Sequence, residues 1–251
     1  MIIFKSTEEI ERMRRAGRIV ASTIDRLLEE VKPGVTTAEL DKHAEQIIRG
    51  EGAVPSFKGY RGFPATICTS LNEQVVHGIP GWRRLDAGDI VSLDVGAIWE
   101  GYHADSAVTV FADGVPSDVA DRLVRVTEAS LDAGIAMLQP GLRLGDVGSA
   151  VQRVVEAAGF SVVREYAGHG VGRALHEDPQ VPNYGDPGRG LLIKPGMVLA
   201  IEPMVNVGDW RTRVLSDKWT VVTADGSLSA HFEHTIAVTE DGPEVLTART
   251  S

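Results

Sequence analysis

The chain has 251 residues, 43% of them hydrophobic, and its 25 basic and 35 acidic side chains give a formal net charge of −10. This charge disfavours a nucleic-acid partner, since phosphates require clustered Lys and Arg, and the length allows one sizeable core or two small ones. The single cysteine, Cys68, excludes an internal disulfide and favours a reducing compartment. The sequence shows neither a signal peptide nor an apolar run that could span a membrane, which predicts a soluble cytoplasmic protein.

The first elements predicted in chain order are two helices. Residues 6–9 form a capping-box pattern ahead of apolar residues at helical spacing, and Pro33-Gly34 ends this helix. Residues 36–39 cap a second helix, which ends at Gly50 or Gly52.

The helix pair recurs in the second half of the chain. Helices are predicted over residues 119–138 and 142–158, and Pro140-Gly141 between them matches Pro33-Gly34. Strand-like segments follow each pair, at 90–97 and 102–111 in the first half and at 198–205, 219–223 and 231–238 in the second. Two copies of one unit indicate a duplicated α+β fold with helices covering one face of a mainly antiparallel sheet. We expect one domain over residues 1–251, with internal repeats at roughly 7–114 and 117–242 as two pseudo-symmetric lobes.

Alignment of the chain with itself places acidic residues on acidic residues. The segment ending at Asp94 aligns with the one ending at Glu202, and the segment around Asp105 aligns with the one around Glu233. A duplicated fold that brings one such pair from each half to a common axis builds a cage of four carboxylates. Four negative groups at close range repel one another unless cations lie among them. The pattern therefore predicts a site for two divalent metal ions.

The hairpin and one histidine add detail to this site. If the turn centres on Trp99-Glu100, Asp94 and Asp105 lie nearly opposite each other on one face, with Cβ atoms ~4.5–5.5 Å apart. His169 is the candidate imidazole ligand, because the glycines on either side of it let the backbone approach a crowded centre. For a histidine taken alone, a hydrogen-bonded turn residue is the favoured alternative.

These segments resemble the motifs of type I methionine aminopeptidases, which have the pita-bread fold. The resemblance extends over nearly the whole chain and rests on residues 72–80, 92–105, 168–176, 201–203 and 231–235. It implies five metal ligands, which are Asp94, Asp105, His169, Glu202 and Glu233. It also implies an enzyme that uses metal-activated water to remove N-terminal methionine from nascent proteins and peptides, with a preference for a small second residue.

The resemblance assigns roles around the metal ions as well. It makes Glu202 a proton carrier in addition to a ligand, and it makes His77 and His176 the groups that stabilise the oxyanion and orient the peptide. It implies a methionine pocket lined by Tyr60, Phe63, Cys68 and Trp219, and it leaves the roles of Phe57 and Leu175 at the pocket edge open. The donor set suits Co²⁺, Mn²⁺, Fe²⁺ or Zn²⁺ alike.

Three other interpretations remain open. An X-Pro aminopeptidase or dipeptidase shares the fold but carries an additional N-terminal domain, for which there is no room before the first helix pair. A non-catalytic binding protein that lost its metals is disfavoured because all five ligand positions are filled, and nothing favours a generic acidic metal-binding domain.

The family resemblance implies a monomer that acts on nascent polypeptide N-termini, and a transient contact with the ribosome stays open.

Overall fold

The structure, a computed structural model, describes residues 2–249. This part of the chain contains four α-helices in two consecutive pairs, α1 (Thr7–Leu28) with α2 (Thr37–Gly50) and α3 (Asp118–Ala136) with α4 (Leu144–Ala157). Strands follow each pair, so the predicted order of elements is confirmed. None of the described helices is both long and apolar enough to cross a membrane.

The first two helices begin where the sequence predicts because their caps form. The Ser6 hydroxyl accepts a hydrogen bond from the Glu9 N–H (3.3 Å), and the Glu9 carboxylate accepts one from the Ser6 N–H (2.9 Å). Thr36 and Glu39 form the same reciprocal pair at the start of α2. Each box satisfies amide groups that the start of a helix leaves without intrahelical partners.

The strands described between residues 2 and 249 pair only in antiparallel fashion. They are β1 (Val54–Pro55), β2 (Ile67–Leu71), β3 (Gln74–Val76), β4 (Ile90–Trp99), β5 (Tyr102–Phe111), β6 (Ser161–Val162), β7 (Gly168–Gly170), β8 (Glu177–Val181), β9 (Val198–Ile201), β10 (Met204–Asn206), β11 (Thr212–Val214), β12 (Val221–Thr223), β13 (Ser229–His231), β14 (His234–Thr239) and β15 (Gly242–Val245). They form four sheets. The strand orders are β1-β4-β2 with β5 paired to β4, β13-β10-β6, β11-β12-β3 and β15-β14-β9-β7-β8. The predicted antiparallel sheet is thus divided, and β3 of the first half pairs with a hairpin of the second.

The helices cover these sheets and share a hydrophobic core with them. Helix α1 packs on β4 and β5, α2 packs on β1 and β2, and α3 packs on β9, β10 and β13. One buried apolar cluster contains Leu93 and Val95 of β4, Leu199 and Ile201 of β9, and Ile236 of β14. Removal of these side chains from water fixes the strands that carry the acidic residues.

Two long strands predicted in the second half are each interrupted, which corrects the sequence prediction. Strands β9 and β10 are separated by Glu202-Pro203, because proline has no N–H to donate to a ladder. Strands β13 and β14 are separated by Phe232-Glu233, where the Glu233 N–H donates to the Ala107 carbonyl of the first half (2.9 Å). Both interruptions fall at an acidic residue of the predicted cage.

The third predicted strand of the second half, residues 219–223, is shorter than expected. Strand β12 begins at Val221, because Asp217 Oδ1 accepts hydrogen bonds from the Trp219 and Thr220 N–H groups (2.9 Å each). This side-chain-closed turn removes those two amides from the ladder.

Candidate metal centre

The five side chains proposed as ligands line a single cavity of about 130 Å³. Ligand atoms of Asp105, His169 and Glu233 lie within 4.8 Å of one another. Glu202 Oε1 lies 3.5 Å from His169 Nε2, and Asp94 borders the same cavity. The two lobes therefore bring their acidic pairs together, as the internal alignment predicts.

Three carboxylate oxygens of this cavity lack protein partners. Asp94 Oδ1, Asp105 Oδ1 and Glu233 Oε1 are buried, and none of them has a hydrogen-bond partner among residues 2–249. Burial, followed by the charges of neighbouring carboxylates, raises the pKa of Asp105, Glu202 and Glu233 well above the usual range, and burial raises the pKa of Asp94 to about 7. Buried acidic oxygens without partners are costly. Divalent cations with oxygen and imidazole ligands remove that cost, so the residues present fit such ions.

The predicted register of the hairpin is wrong, because each acidic residue faces a position two residues away from the one predicted. Asp94 of β4 faces Ala107, and Asp105 of β5 faces Gly96, so the two acids are diagonal neighbours on one face. The turn is Glu100-Gly101, both with positive φ (48° and 81°), which is the two-residue turn that matches the twist of a hairpin. Diagonal neighbours have Cα atoms ~7–8 Å apart, and carboxylate side chains span that separation around an ion.

His169 is oriented by its own backbone. Its Nδ1 is 2.9 Å from the Gly170 carbonyl, so Nδ1–H donates there and Nε2 is left for the cavity. Burial lowers the pKa of His169, which keeps the imidazole neutral and able to ligate. A Cβ on Gly168 would lie 2.3 Å from the Ala200 carbonyl oxygen, and one on Gly170 would lie 2.2 Å from that of Asp178. Only glycine lets the backbone pack this closely on both sides of His169.

Side-chain hydroxyls join the lobes beneath the cage, a feature that sequence reasoning missed. Thr235 Oγ1 accepts from the Asp105 N–H (2.9 Å) and donates to the Asp105 carbonyl (2.8 Å). Thr109 makes the same pair of bonds with the His231 N–H (2.9 Å) and carbonyl (2.6 Å). Ser106 Oγ donates to the Glu233 carbonyl (2.6 Å). These bonds flank the backbone bridge between Ala107 of β5 and Glu233.

A Thr235→Val variant is expected to lose stability and to bind metal more weakly. The substitution leaves the buried Asp105 N–H and carbonyl without their hydroxyl partner, and each such group costs ~1–3 kcal/mol. Denaturant unfolding of the metal-free protein should show a loss of ~2–4 kcal/mol. Thr235→Ser, which keeps the hydroxyl, is the matched control and should lose much less. Equal stabilities of the Val and Ser variants would show that the hydroxyl does not join the lobes.

An apolar wall lies beside the carboxylates. Phe57, Phe63, Cys68 and Leu175 form one buried cluster, against which Tyr60 and Trp219 pack. The rings of Phe63 and Trp219 meet edge to face at 5.1 Å. Phe57 and Leu175, whose roles the sequence left open, are buried parts of this wall. The Phe57 ring would lie 2.7 Å from a Cβ on Gly96, so Gly96 provides its space.

Two histidines border both the wall and the carboxylates. His77, at φ 59°, follows β3, and its ring meets Tyr166 and Trp219 edge to face. Burial lowers the pKa of His77 to about 4. His176 lies with its ring 4.1 Å from the His169 ring. Its pKa is lowered to about 3, first by desolvation and then by repulsion between its protonated form and neighbouring groups that include His169 and Arg61. Both imidazoles are therefore neutral near pH 7.

A buried ion pair anchors the segment that carries His176, and nothing in the sequence indicates it. Lys5 Nζ lies 2.7 Å from Glu177 Oε2, with side chains 3% and 7% exposed. The Lys5 N–H also donates to the Gly196 carbonyl (2.7 Å). The chain segment before α1 is thereby fixed against the residue that follows His176.

Binding of divalent metal is expected to release protons near pH 7. Carboxyl groups with a raised pKa retain protons that must leave when an ion binds the carboxylate form, whereas neutral His169 has none to release. We expect at least ~1 proton per chain, and an apparent affinity that rises with pH. Calorimetric titration in buffers of different ionisation enthalpy measures the number. Binding heats that do not depend on the buffer would contradict the raised pKa values.

Known proteins are similar to this chain in sequence and in fold. The profile described as "Metallopeptidase family M24" matches residues 11–240. "Methionine aminopeptidase 1" of Bacillus subtilis is 56% identical over 247 residues, which cover 98% of this chain and 99% of that one. The crystal structure of a methionine aminopeptidase from Thermotoga maritima has a TM-score of 0.97 and 48% identity, and the match covers 99% of this chain and 100% of that one. A prolidase from Pyrococcus furiosus shares the fold at a TM-score of 0.80 and 23% identity, over 99% of this chain but 66% of that one.

Proposed function

This chain belongs to metallopeptidase family M24, and we propose that its five converging side chains hold two divalent ions with which it removes N-terminal methionine from polypeptides. It has the pita-bread fold, and its curated relatives at about 50% identity are methionine aminopeptidases. The observation that carries the proposal is a set of buried carboxylate oxygens without partners beside an apolar aromatic wall.

The proposed ligands are the four carboxylates and one imidazole of the cavity. They are Asp94, Asp105, His169, Glu202 and Glu233. The −4 charge of the ionised carboxylates balances the charge of two divalent ions. When bound, such a pair lowers the pKa of a water molecule and polarises the scissile carbonyl.

The cavity has an acidic floor that suits the α-amine of an N-terminal methionine and an apolar wall that suits its side chain. The acidic floor attracts a free α-amine, whereas an amide nitrogen inside a chain is neutral and a poor ligand, so we infer exopeptidase action. The thioether is assigned to the apolar wall, where Cys68 provides a soft sulfur among Tyr60, Phe63 and Trp219. The second residue lies next to the crowded floor, which supports a preference for small side chains.

The two histidines are assigned to the reacting carbonyl. The Tyr60 hydroxyl lies 2.9 Å from His176 Nδ1, and if it donates there, neutral His176 carries its proton on Nε2 as a donor for the oxyanion. His77 borders the same space and is assigned to orient the peptide. Glu202, whose backbone carbonyl is held by the Asn183 side chain (2.9 Å), is assigned to pass a proton to the leaving amine.

The proposed biological substrates are the N-termini of nascent polypeptides in the cytoplasm, processed by a monomer. An X-Pro peptidase is the alternative within the same fold. The match to such a protein, the prolidase, covers 99% of this chain but only 66% of the prolidase. Identity and coverage to the methionine aminopeptidases are both higher.

A peptide panel with defined metals tests the proposal. The protein is stripped with a chelator, reloaded separately with Co²⁺, Mn²⁺, Fe²⁺ or Zn²⁺, and assayed on Met-X-Ser peptides and on Ala-Pro peptides. We expect cleavage after Met when X is Gly, Ala or Ser, little cleavage when X is Leu or Phe, and none of Ala-Pro. A metal titration should saturate at two ions per chain. Cleavage of Ala-Pro alone, or full activity without metal, would overturn the proposal.

A further inference from the structure

The exposure of the cavity wall defines its mouth. Asp105, His169 and Glu233 form a buried floor, whereas Arg61 and His176 are the two exposed residues among those that line the cavity. A peptide whose N-terminus lies at the carboxylates must therefore leave past Arg61 and His176.

Arg61 has no anionic partner in the part of the chain that the structure describes. Its guanidinium carbon lies over the Tyr60 ring, 5.3 Å from the centroid, and it makes no ion pair or hydrogen bond with residues 2–249. The nearby cation Lys58 differs, because its Nζ lies 2.6 Å from Glu45 Oε2. The mouth thus keeps one cation with its N–H donors unused.

The loop that presents Arg61 has a fixed shape. Arg61 has φ 48°, between Gly59 at φ 86° and Gly62 at φ 89°. The Gly59 N–H donates to the Phe63 carbonyl (2.8 Å), and the Phe63 N–H donates to the Tyr60 carbonyl (2.9 Å). A positive φ is uncommon for arginine and costs energy that the surrounding bonds must offset. The loop therefore imposes the direction in which the Arg61 side chain leaves the backbone.

We propose that Arg61 makes the enzyme favour substrates that carry an acidic side chain shortly after the second residue. This inference rests on the proposed function, which places the α-amine at the carboxylates and the methionine side chain in the apolar wall. The arginine fork matches a carboxylate in geometry and charge, and ring stacking on Tyr60 leaves its edge donors available. The net charge of −10 predicts the opposite preference from the field of the whole protein, so the local and global effects are separable.

Competition between matched peptides tests the inference. C-terminally amidated Met-Ala-Glu-Ser-Gly and Met-Ala-Gln-Ser-Gly are mixed with metal-loaded enzyme, and the ratio of their kcat/KM values is read by mass spectrometry. A second pair carries Glu or Gln at the fourth position. We expect the wild type to favour Glu by about 1.5- to 5-fold at low salt in at least one pair, a range typical of exposed ion pairs, and less at high salt.

Variants assign any preference to one residue. Arg61→Gln should bring the ratio to about one, Arg61→Glu should invert it, and Lys58→Gln is the matched control that should leave it unchanged. An unchanged ratio in Arg61→Gln, an equal loss in Lys58→Gln, or no preference in the wild type overturns the inference. Failure of the metal-loaded wild type to cleave the Gln peptides would instead contradict the proposed function.

Discussion

Asp105→Ala should abolish both metal loading and peptidase activity. Asp105 is 4% exposed, and its ligand atom lies within 4.8 Å of those of His169 and Glu233. Elemental analysis after dialysis against metal, together with turnover of a Met-Ala-Ser peptide, measures both losses. Normal turnover with a full metal complement would refute the assignment of this carboxylate.

Asp105→Asn should have opposite effects on activity and on metal-free stability. The amide nearly preserves the shape and cannot ionise, so the apoprotein should become more stable while activity is lost. The direction of the pH dependence follows from the linkage between proton binding and folding stability. Because the folded pKa is raised, native Asp105 binds more protons than the unfolded group above pH ~3.9, so stability falls as the pH rises through the folded pKa. The gain from Asn should therefore grow with pH, and a variant less stable than wild type at pH 8 without metal would contradict this account.

The sequence predicts the cage because two segments of the chain align with two later ones. Asp94 aligns with Glu202 and Asp105 with Glu233, and all four side chains line one cavity. The capping boxes at Ser6 and Thr36 are equally local, and both helices begin beside them.

The hairpin register and the break after β9, where the predicted fold differs from the structure, had signals in the sequence. Gly101 is the residue type favoured at the second position of a two-residue hairpin turn, and a turn at Glu100-Gly101 sets the register found for β4 and β5. Pro203 cannot donate to a ladder, so it predicts the break after β9.

Other features depend on contacts between distant parts of the chain. The interruption at Glu233 exists because Ala107 offers it a partner from the other lobe, and Thr235 meets Asp105 for the same reason. Lys5 and Glu177 are 172 residues apart. No local pattern predicts such pairs, and the apolar wall was expected from resemblance alone, because buried aromatic residues ordinarily indicate core.

His176→Ala should reduce turnover by ~10²–10³-fold, the usual effect of losing one oxyanion donor, while metal binding stays intact. The variant leaves His169 Nε2 and the four carboxylates in place, and it removes only the ring that Tyr60 holds at the mouth (2.9 Å). Because a donor to the oxyanion acts mainly in the transition state, kcat should fall far more than KM rises.

Two companion variants separate this role from a structural one. His176→Gln offers an N–H donor of different reach and should recover part of the lost turnover, whereas a merely structural residue would gain nothing from a donor. Tyr60→Phe keeps the aromatic ring but removes the hydroxyl partner of His176 Nδ1, so a smaller fall in kcat is expected. Loss of metal from His176→Ala would show instead that this imidazole is a ligand, and that the oxyanion donor must be sought at His77.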